Sequence, residues 1–259
     1  MSTNKKTVTA YDKYAKEWGE RKNKIDGSTI YHLYLEKPAM YGKLPNLKDK
    51  SVLCLGCGTG EENEFIHTLG ARRVVGVDIS SGLIEIAKKA YPHLEFQVMD
   101  IEKLDFPDGS FDFVFSSLTM HYLKDWVETL KRVHKTLKDG GTFLFSITHP
   151  FFSATMLKDD AKQKSRVLGY KDIKNTNNCE VYGDYLNPSM REVTINKEFK
   201  VTNYHRPLST IVKEITSSGF EILDIAEPKA LQPSKEGFPK FWEIHQKIPE
   251  FIVFELRKK

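Results

Sequence analysis

Ser51-Val52-Leu53-Cys54-Leu55-Gly56-Cys57-Gly58-Thr59-Gly60 is the stretch whose reading decides the fold. An apolar run opens into glycines spaced G-x-G-x-G, and the next apolar run, Arg73-Val74-Val75-Gly76-Val77, ends in Asp78. The pattern describes a buried strand that turns sharply through a glycine loop into a helix, while the adjacent strand delivers a carboxylate beside the loop. Glycines permit the tight turn and let backbone N–H groups approach a ligand closely. A carboxylate roughly 20 residues downstream suits the two hydroxyls of a ribose. The stretch therefore predicts a nucleoside-cofactor site.

Outward from this segment, strand-like and helix-like patterns alternate. Strands are expected at 51–56, 73–77, 94–98, 112–116 and 142–148, and helices at 61–69, 81–90 and 125–137. Pro107-Asp108-Gly109 and Asp139-Gly140-Gly141 read as turns. Such alternation argues a parallel sheet with helices on both faces. Before it, residues 8–22 and 28–42 read as two helices, with Tyr11, Tyr14, Ala15 and Trp18 at helical spacing. The rhythm breaks at 150–204, a polar stretch with short β-like pieces at 191–195 and 198–204. A helix follows at 208–217, then strands at 220–226 and 250–257. The expected organisation is an N-terminal helical lid (1–45), a cofactor-binding core (46–149), a cap inserted after the fifth strand (150–206) and a C-terminal completion of the core sheet (207–259).

Composition narrows the class. The chain has 259 residues, 40% hydrophobic and 29% charged, which is ordinary for a globular protein. Its longest apolar runs are strand-sized, well short of the roughly 18 residues of a membrane span. The polar start, Met1-Ser2-Thr3-Asn4-Lys5-Lys6, shows no signal-peptide pattern. Three cysteines do not make a disulfide framework, so the expected compartment is a reducing cytoplasm. The net charge of +4 is small, and the basic stretch from Lys162 to Lys174 reads as a solvated surface rather than a nucleic-acid patch.

The loop also discriminates between cofactors. A dinucleotide fingerprint requires G-x-G-x-x-G, but the third-glycine position is Glu61 counted from Gly56, and Asn63 counted from Gly58. Glu61 and Glu62 at a helix N-terminus would repel a pyrophosphate. A cofactor with a cationic centre and an amino-acid tail fits better than an anionic one.

Five motifs now stand in order: Val52-Leu53-Cys54-Leu55-Gly56-Cys57-Gly58-Thr59-Gly60, Val75-Gly76-Val77-Asp78-Ile79-Ser80, Val98-Met99-Asp100-Ile101-Glu102, Ser110-Phe111-Asp112-Phe113-Val114 and Leu137-Lys138-Asp139-Gly140-Gly141. In this order and spacing the chain resembles the class I S-adenosylmethionine-dependent methyltransferases, of the group acting mostly on small molecules. The resemblance implies an α/β Rossmann-like, doubly wound sheet of seven strands with the last antiparallel. It implies S-adenosyl-L-methionine as cofactor and S-adenosyl-L-homocysteine as product. Gly56, Cys57, Gly58 and Gly60 would line the methionine moiety, Asp78 would accept from both ribose hydroxyls, and Ile79 would pack on adenine. Asp100 with the backbone N–H of Ile101 would read the adenine edge, Ser116 would lie beneath the cofactor, and Tyr14 would contact it from the lid. One position departs from the family. The acid usual two residues before the first loop glycine is Cys54 here, so its duty toward the cofactor's ammonium would pass to Glu61 or Glu62.

Candidates for the chemistry follow from position. His121, after the fourth strand, is read as a cofactor or substrate contact, with a structural histidine as the alternative. His149 closes the fifth strand and His205-Arg206 closes the cap, where open sheets bind ligands beyond strand carboxyl ends. His149 or His205 would take a proton from the attacking atom, and Arg206 would pair with a substrate anion or hold the cap to the core. The Cys54-x-x-Cys57 pair lacks a second pair and an exposed setting, so no metal or redox site is expected. The expected partner is a small-molecule acceptor. A nucleic-acid methyltransferase is the weaker alternative, because Ser116-Ser117-Leu118-Thr119 stands where an aromatic-proline tetrad would be needed. A non-catalytic cofactor-binding subunit is the other.

Overall fold

The computed structural model describes residues 7–13, 15, 29–159, 164–194 and 200–259. Tyr14, Trp18 and most of the expected 8–22 helix lie outside the described residues. Residues 7–13 are helical.

A seven-stranded sheet runs through the molecule. Its strands are β1 (Ser51–Leu55), β2 (Arg73–Asp78), β3 (Glu95–Val98), β4 (Phe111–Ser116), β5 (Leu137–Thr148), β12 (Phe220–Ala226) and β13 (Phe251–Lys258), ordered β12-β13-β5-β4-β1-β2-β3. The first five pair in parallel, whereas β13 lies antiparallel between β5 and β12. β1 is buried at every position, as a strand covered on both faces must be. Side chains alternate between faces. Leu53, Leu55, Val75 and Val77 enter one apolar layer, while Val52, Cys54 and Val74 enter the other.

The helices that cover these layers match the expected ones to within about a residue. They are α2 (Glu61–Thr68), α3 (Ser81–Ala90), α4 (Trp126–Thr136) and α6 (Leu208–Ser217), with α1 (Lys37–Tyr41) before them and α5 (Pro150–Ala154) between α4 and α6. Ser80 caps α3 by accepting from Leu83 N, and Asp125 caps α4 by accepting from Glu128 N. The expected 28–42 helix carries a π turn at His32–Glu36, closed by Lys37 N–H donating to His32 O. Pro38, at the start of α1, accounts for the irregularity: it has no N–H to donate to the preceding turn, and its ring crowds that turn's carbonyl.

The fifth strand is longer than expected. Leu137 already pairs with Phe111, and pairing resumes with Thr142 opposite Phe113, so the turn read at Asp139-Gly140-Gly141 is a bulge inside β5. Among the described residues of 150–206, strands pair antiparallel in three couples: β6 (Met156–Asp159) with β7 (Lys164–Val167), β8 (Gly169–Asp172) with β9 (Cys179–Tyr182), and β10 (Ser189–Thr194) with β11 (Lys200–His205). Only the last pair was legible as strands. In β11, Val201, Thr202, Asn203 and His205 are buried. Beyond β12 come α7 (Ser234–Gly237) and α8 (Pro239–His245), which the sequence reading did not identify. Phe241 of α8 packs with Ile30, Leu35 and Phe251 in a third apolar cluster. No helix among the described residues is long and apolar enough to cross a membrane.

Candidate active site

The glycine loop follows β1 directly. Gly56 and Gly58 have φ +65° and +53°, the left-handed region that glycine enters without penalty. The two positions differ in surroundings. A Cβ on Gly56 would stand 2.1 Å from Thr119 Oγ1, whereas a Cβ on Gly58 would meet nothing within 4 Å. The loop is thus closed on its Thr119 side and open at Gly58.

Asp78, at the end of β2, is buried and faces this opening. Its Oδ2 accepts from Gly58 N at 3.0 Å and its Oδ1 accepts from Ser80 N at 2.9 Å. Burial pushes its carboxyl up, while the backbone N–H groups of Ser80, Gly58 and Ile79 pull against that shift. The carboxylate keeps lone-pair capacity for a further donor. The 7–13 helix lies alongside. Asp12 accepts from Ser80 Oγ at 2.6 Å, and Tyr11 donates to Tyr122 at 3.0 Å. The Tyr11 phenol is raised by burial first, and by Tyr122 and Asp78 after that.

The remaining cofactor candidates are placed as follows. Ile79 is half-buried beside Asp78. Asp100 accepts from Glu102 N at 3.1 Å, capping a short turn, and the Ile101 side chain is buried in the core. Cys57 is buried in the loop, and its N donates to Val77 O. Gly60, at φ +85°, caps α2. Ser116 donates to Leu55 O at 3.2 Å and is fully buried, so it ties β4 to β1 rather than facing a cleft. Cys54 is buried as well, its thiol pushed up by burial and then by Glu62. Among the described residues no group of side chains could hold a metal ion.

The acids expected to replace the one missing at Cys54 are engaged elsewhere. Lys37 Nζ stands 3.3 Å from Glu61 Oε2 and 3.0 Å from Glu62 Oε1. The lysine offsets one of the two charges and occupies an oxygen of each acid, which weakens their case as ammonium ligands.

The four candidates for chemistry each have partners within the chain. His121 is buried, and burial pulls it down to about 3. Its Nδ1 accepts from Thr148 N at 3.3 Å, so it stays neutral. His149 Nδ1 accepts from Phe151 N at 3.0 Å, which leaves Nε2 to donate to Glu227 Oε1 at 2.9 Å. His205 Nε2 donates to Tyr185 O at 2.8 Å, and its Nδ1 meets Ser153 Oγ at 2.7 Å. Arg206 donates to Glu214 at 3.0 Å and to Lys124 O at 2.5 Å. His149 and Arg206 fasten the ends of the 150–206 segment to Glu227, Glu214 and Lys124; His205 ties parts of that segment to each other, and His121 holds the end of β5. Position at a strand's carboxyl end suggested chemistry, but satisfied ring nitrogens and guanidinium donors argue fastening.

Sequence reasoning missed two acids. Glu36 is wholly buried behind the loop after β4, and Glu250 is buried just before β13. Both keep one oxygen without a hydrogen-bond partner. A glutamate in a helix or a turn reads as surface charge, and no local pattern marked either one.

The open backbone at Gly58, the carboxylate of Asp78 and the orphaned Glu36 oxygen together suit a nucleoside with a cationic tail. Comparison with known proteins agrees. Residues 53–145 match the family model described as a methyltransferase domain. An uncharacterized protein of Haemophilus influenzae is 31% identical over 235 residues, covering 85% of each chain. A malonyl-[acyl-carrier protein] O-methyltransferase of Yersinia pestis is 33% identical over 95 residues, which are 37% of this chain and 35% of that one. The crystal structure of an S-adenosylmethionine-dependent methyltransferase from Mesorhizobium loti superposes with a TM-score of 0.72 at 27% identity, covering 85% of this chain and 96% of that one.

Proposed function

The chain belongs to the class I S-adenosylmethionine-dependent methyltransferases, and on that premise we propose that its acceptor is a small molecule taken up between the carboxyl ends of β4 and β5 and a cap formed by residues 150–206. The observation that carries the reading is the Asp78 carboxylate held 3.0 Å from Gly58 N beside the open side of the glycine loop. Asp78 would accept from the ribose hydroxyls. Such charge-assisted bonds are worth about 1.5–3 kcal/mol each. Gly56, Cys57, Gly58 and Gly60 would cradle the methionine portion, Ile79 would lie on adenine, and Asp100 with Ile101 N–H would read its edge. Tyr11 would close over the ribose from the N-terminal helix.

When bound, S-adenosylmethionine would supply an electrophilic sulfonium methyl for in-line attack by an oxygen, nitrogen or carbon of the acceptor, with S-adenosylhomocysteine as the leaving group. The chain's own contribution is chiefly orientation and exclusion of water. No histidine is assigned a proton, because His121 is neutral and buried and His149 and His205 are spoken for. His149 would instead hold the start of the cap against Glu227, and His205 would tie parts of the cap to each other.

A small acceptor group is supported by the relative named as a malonyl-[acyl-carrier protein] O-methyltransferase, although that name places the acyl group on a protein. The test is calorimetric titration with S-adenosylmethionine, S-adenosylhomocysteine and NAD, followed by transfer of labelled methyl to a panel of small carboxylates, amines and phenols beside bulk transfer RNA. Binding of the first two ligands without NAD, and label on a small acceptor, is the expected result. Label on the RNA alone would replace the small-molecule reading with a nucleic-acid one.

A further inference from the structure

Glu36 is fully buried at the end of the π turn. Its Oε1 accepts from Ser117 Oγ at 2.9 Å and from Ser146 Oγ at 2.5 Å. Ser146 Oγ in turn accepts from Leu118 N at 3.0 Å, and Leu118 holds a left-handed φ of +47°. Thr119, in the same loop, fills the space against Gly56. The carboxylate is therefore bonded to the loop that packs against the glycine turn. Its other oxygen, Oε2, is buried without a hydrogen-bond partner, as is His32 Nδ1. The two atoms lie 3.8 Å apart, too far to bond each other.

An ionised carboxylate in such a place is costly without a cationic donor. Lys37, the next residue, is occupied with Glu61 and Glu62. The cofactor offers two cationic centres, but a sulfonium has no N–H, whereas a primary ammonium has three donors. One ammonium nitrogen at hydrogen-bond distance reaches both orphaned acceptors. We infer that Glu36 Oε2, with His32 Nδ1, binds the α-ammonium of the cofactor's methionine, taking over the charge that Cys54 does not supply. The inference rests on the cofactor reading above. A primary ammonium could also belong to the acceptor; contact of the 117–119 loop with Gly56 favours the cofactor.

The test is a cycle of four titrations: wild type and Glu36→Gln, each with S-adenosylhomocysteine and with its analogue carrying hydrogen in place of the amino group. Gln keeps an oxygen for the two serine hydroxyls but loses the charge. In the wild type, removing the amine should weaken binding about 10- to 100-fold, the loss expected of a charge-assisted hydrogen bond. In Glu36→Gln the same change should cost less than about threefold, because the bond is already lost. An equal amine penalty in both proteins would overturn the assignment and leave the amine to the acceptor or to no partner here. Failure of the wild type to bind S-adenosylhomocysteine would overturn the cofactor reading and this inference together. If Glu36→Gln does not fold, Glu36→Asp, which shortens the reach, should also lower the amine penalty; an unchanged penalty there overturns the inference.

Discussion

Asp78 shows how much a single side chain carries at this site. Its two oxygens hold the backbone N–H groups of Gly58 and Ser80, with Ile79 N–H adding to them, and burial works against its charge. Ligand hydroxyls would add donors to a carboxylate that is short of solvent. Asp78→Asn should therefore lower affinity for S-adenosylhomocysteine about 100-fold, the loss of one or two charge-assisted bonds; calorimetry reads this directly, and unchanged affinity would remove the ribose assignment. Asp78 was legible in the sequence because an acid closing the second apolar run needs only chain order to be placed beside the loop. Glu36 and the histidines were not. What a carboxylate or an imidazole does depends on partners far along the chain: Ser117 and Ser146 for Glu36, Glu227 for His149, Tyr185 for His205. Residue type and local spacing carry no record of those contacts.

Between elements, two neighbouring glycines divide folding from binding. Gly56 fills the only room left by Thr119, so Gly56→Ala combines a left-handed backbone penalty with a clash at 2.1 Å. It should lower unfolding free energy by about 2–4 kcal/mol. Gly58→Ala carries the backbone penalty alone, about 1–2 kcal/mol. Its methyl, however, would stand in the open side of the loop and should abolish measurable cofactor binding. Urea unfolding of both variants beside calorimetry separates the two roles; equal destabilisation with retained binding would contradict the division. Arg206 is the equivalent fastening point for the β10–β11 pair, through Glu214 and Lys124 O and its place over Trp126 at 5.0 Å. Arg206→Ala should destabilise by about 1–3 kcal/mol, the cost of leaving buried acceptors unpaired, and should leave S-adenosylhomocysteine affinity within about twofold; a large affinity loss would return Arg206 to the ligand site. The core strands were legible because apolar runs and glycine turns are local signals. The strand pairs β6–β9 were not, since their mostly exposed faces leave no apolar alternation to read.

At the scale of the molecule, the sheet's two covered faces leave its carboxyl edge as the place where polar groups are buried, and two of them set opposing pH limbs. Glu250 is raised from 4.5 to about 8 by burial, with Arg166 opposing. A carboxyl raised on folding stabilises fully below its unfolded pKa, and that stability is lost as pH rises through the folded one. His121 is lowered from 6.5 to about 3 by burial. Its stabilising effect is complete above pH 6.5 and is lost as pH falls toward 3. Each limb has a slope of at most about 1.4 kcal/mol per pH unit. Between about pH 4.5 and 6.5 they oppose each other, and His134, His149, His205 and His245, all lowered first by burial, add to the rising limb, so the wild type should not decline until about pH 6.5 and should fall from 6.5 to 8 as Glu250 ionises. Glu250→Gln should remove that decline and leave stability rising with pH to 6.5 and level beyond. His121→Asn, whatever it costs in packing, should lower the slope below pH 6.5 by up to about 1.4 kcal/mol per pH unit relative to the wild type and leave the fall from 6.5 to 8 unchanged. Urea midpoints of the three proteins across pH 5–9 give the slopes. A wild type that gains stability between pH 6.5 and 8 would mean that the Glu250 carboxylate is ionised in the folded protein and held by a cation, and the burial of an orphaned acid beside β13 would no longer describe the molecule.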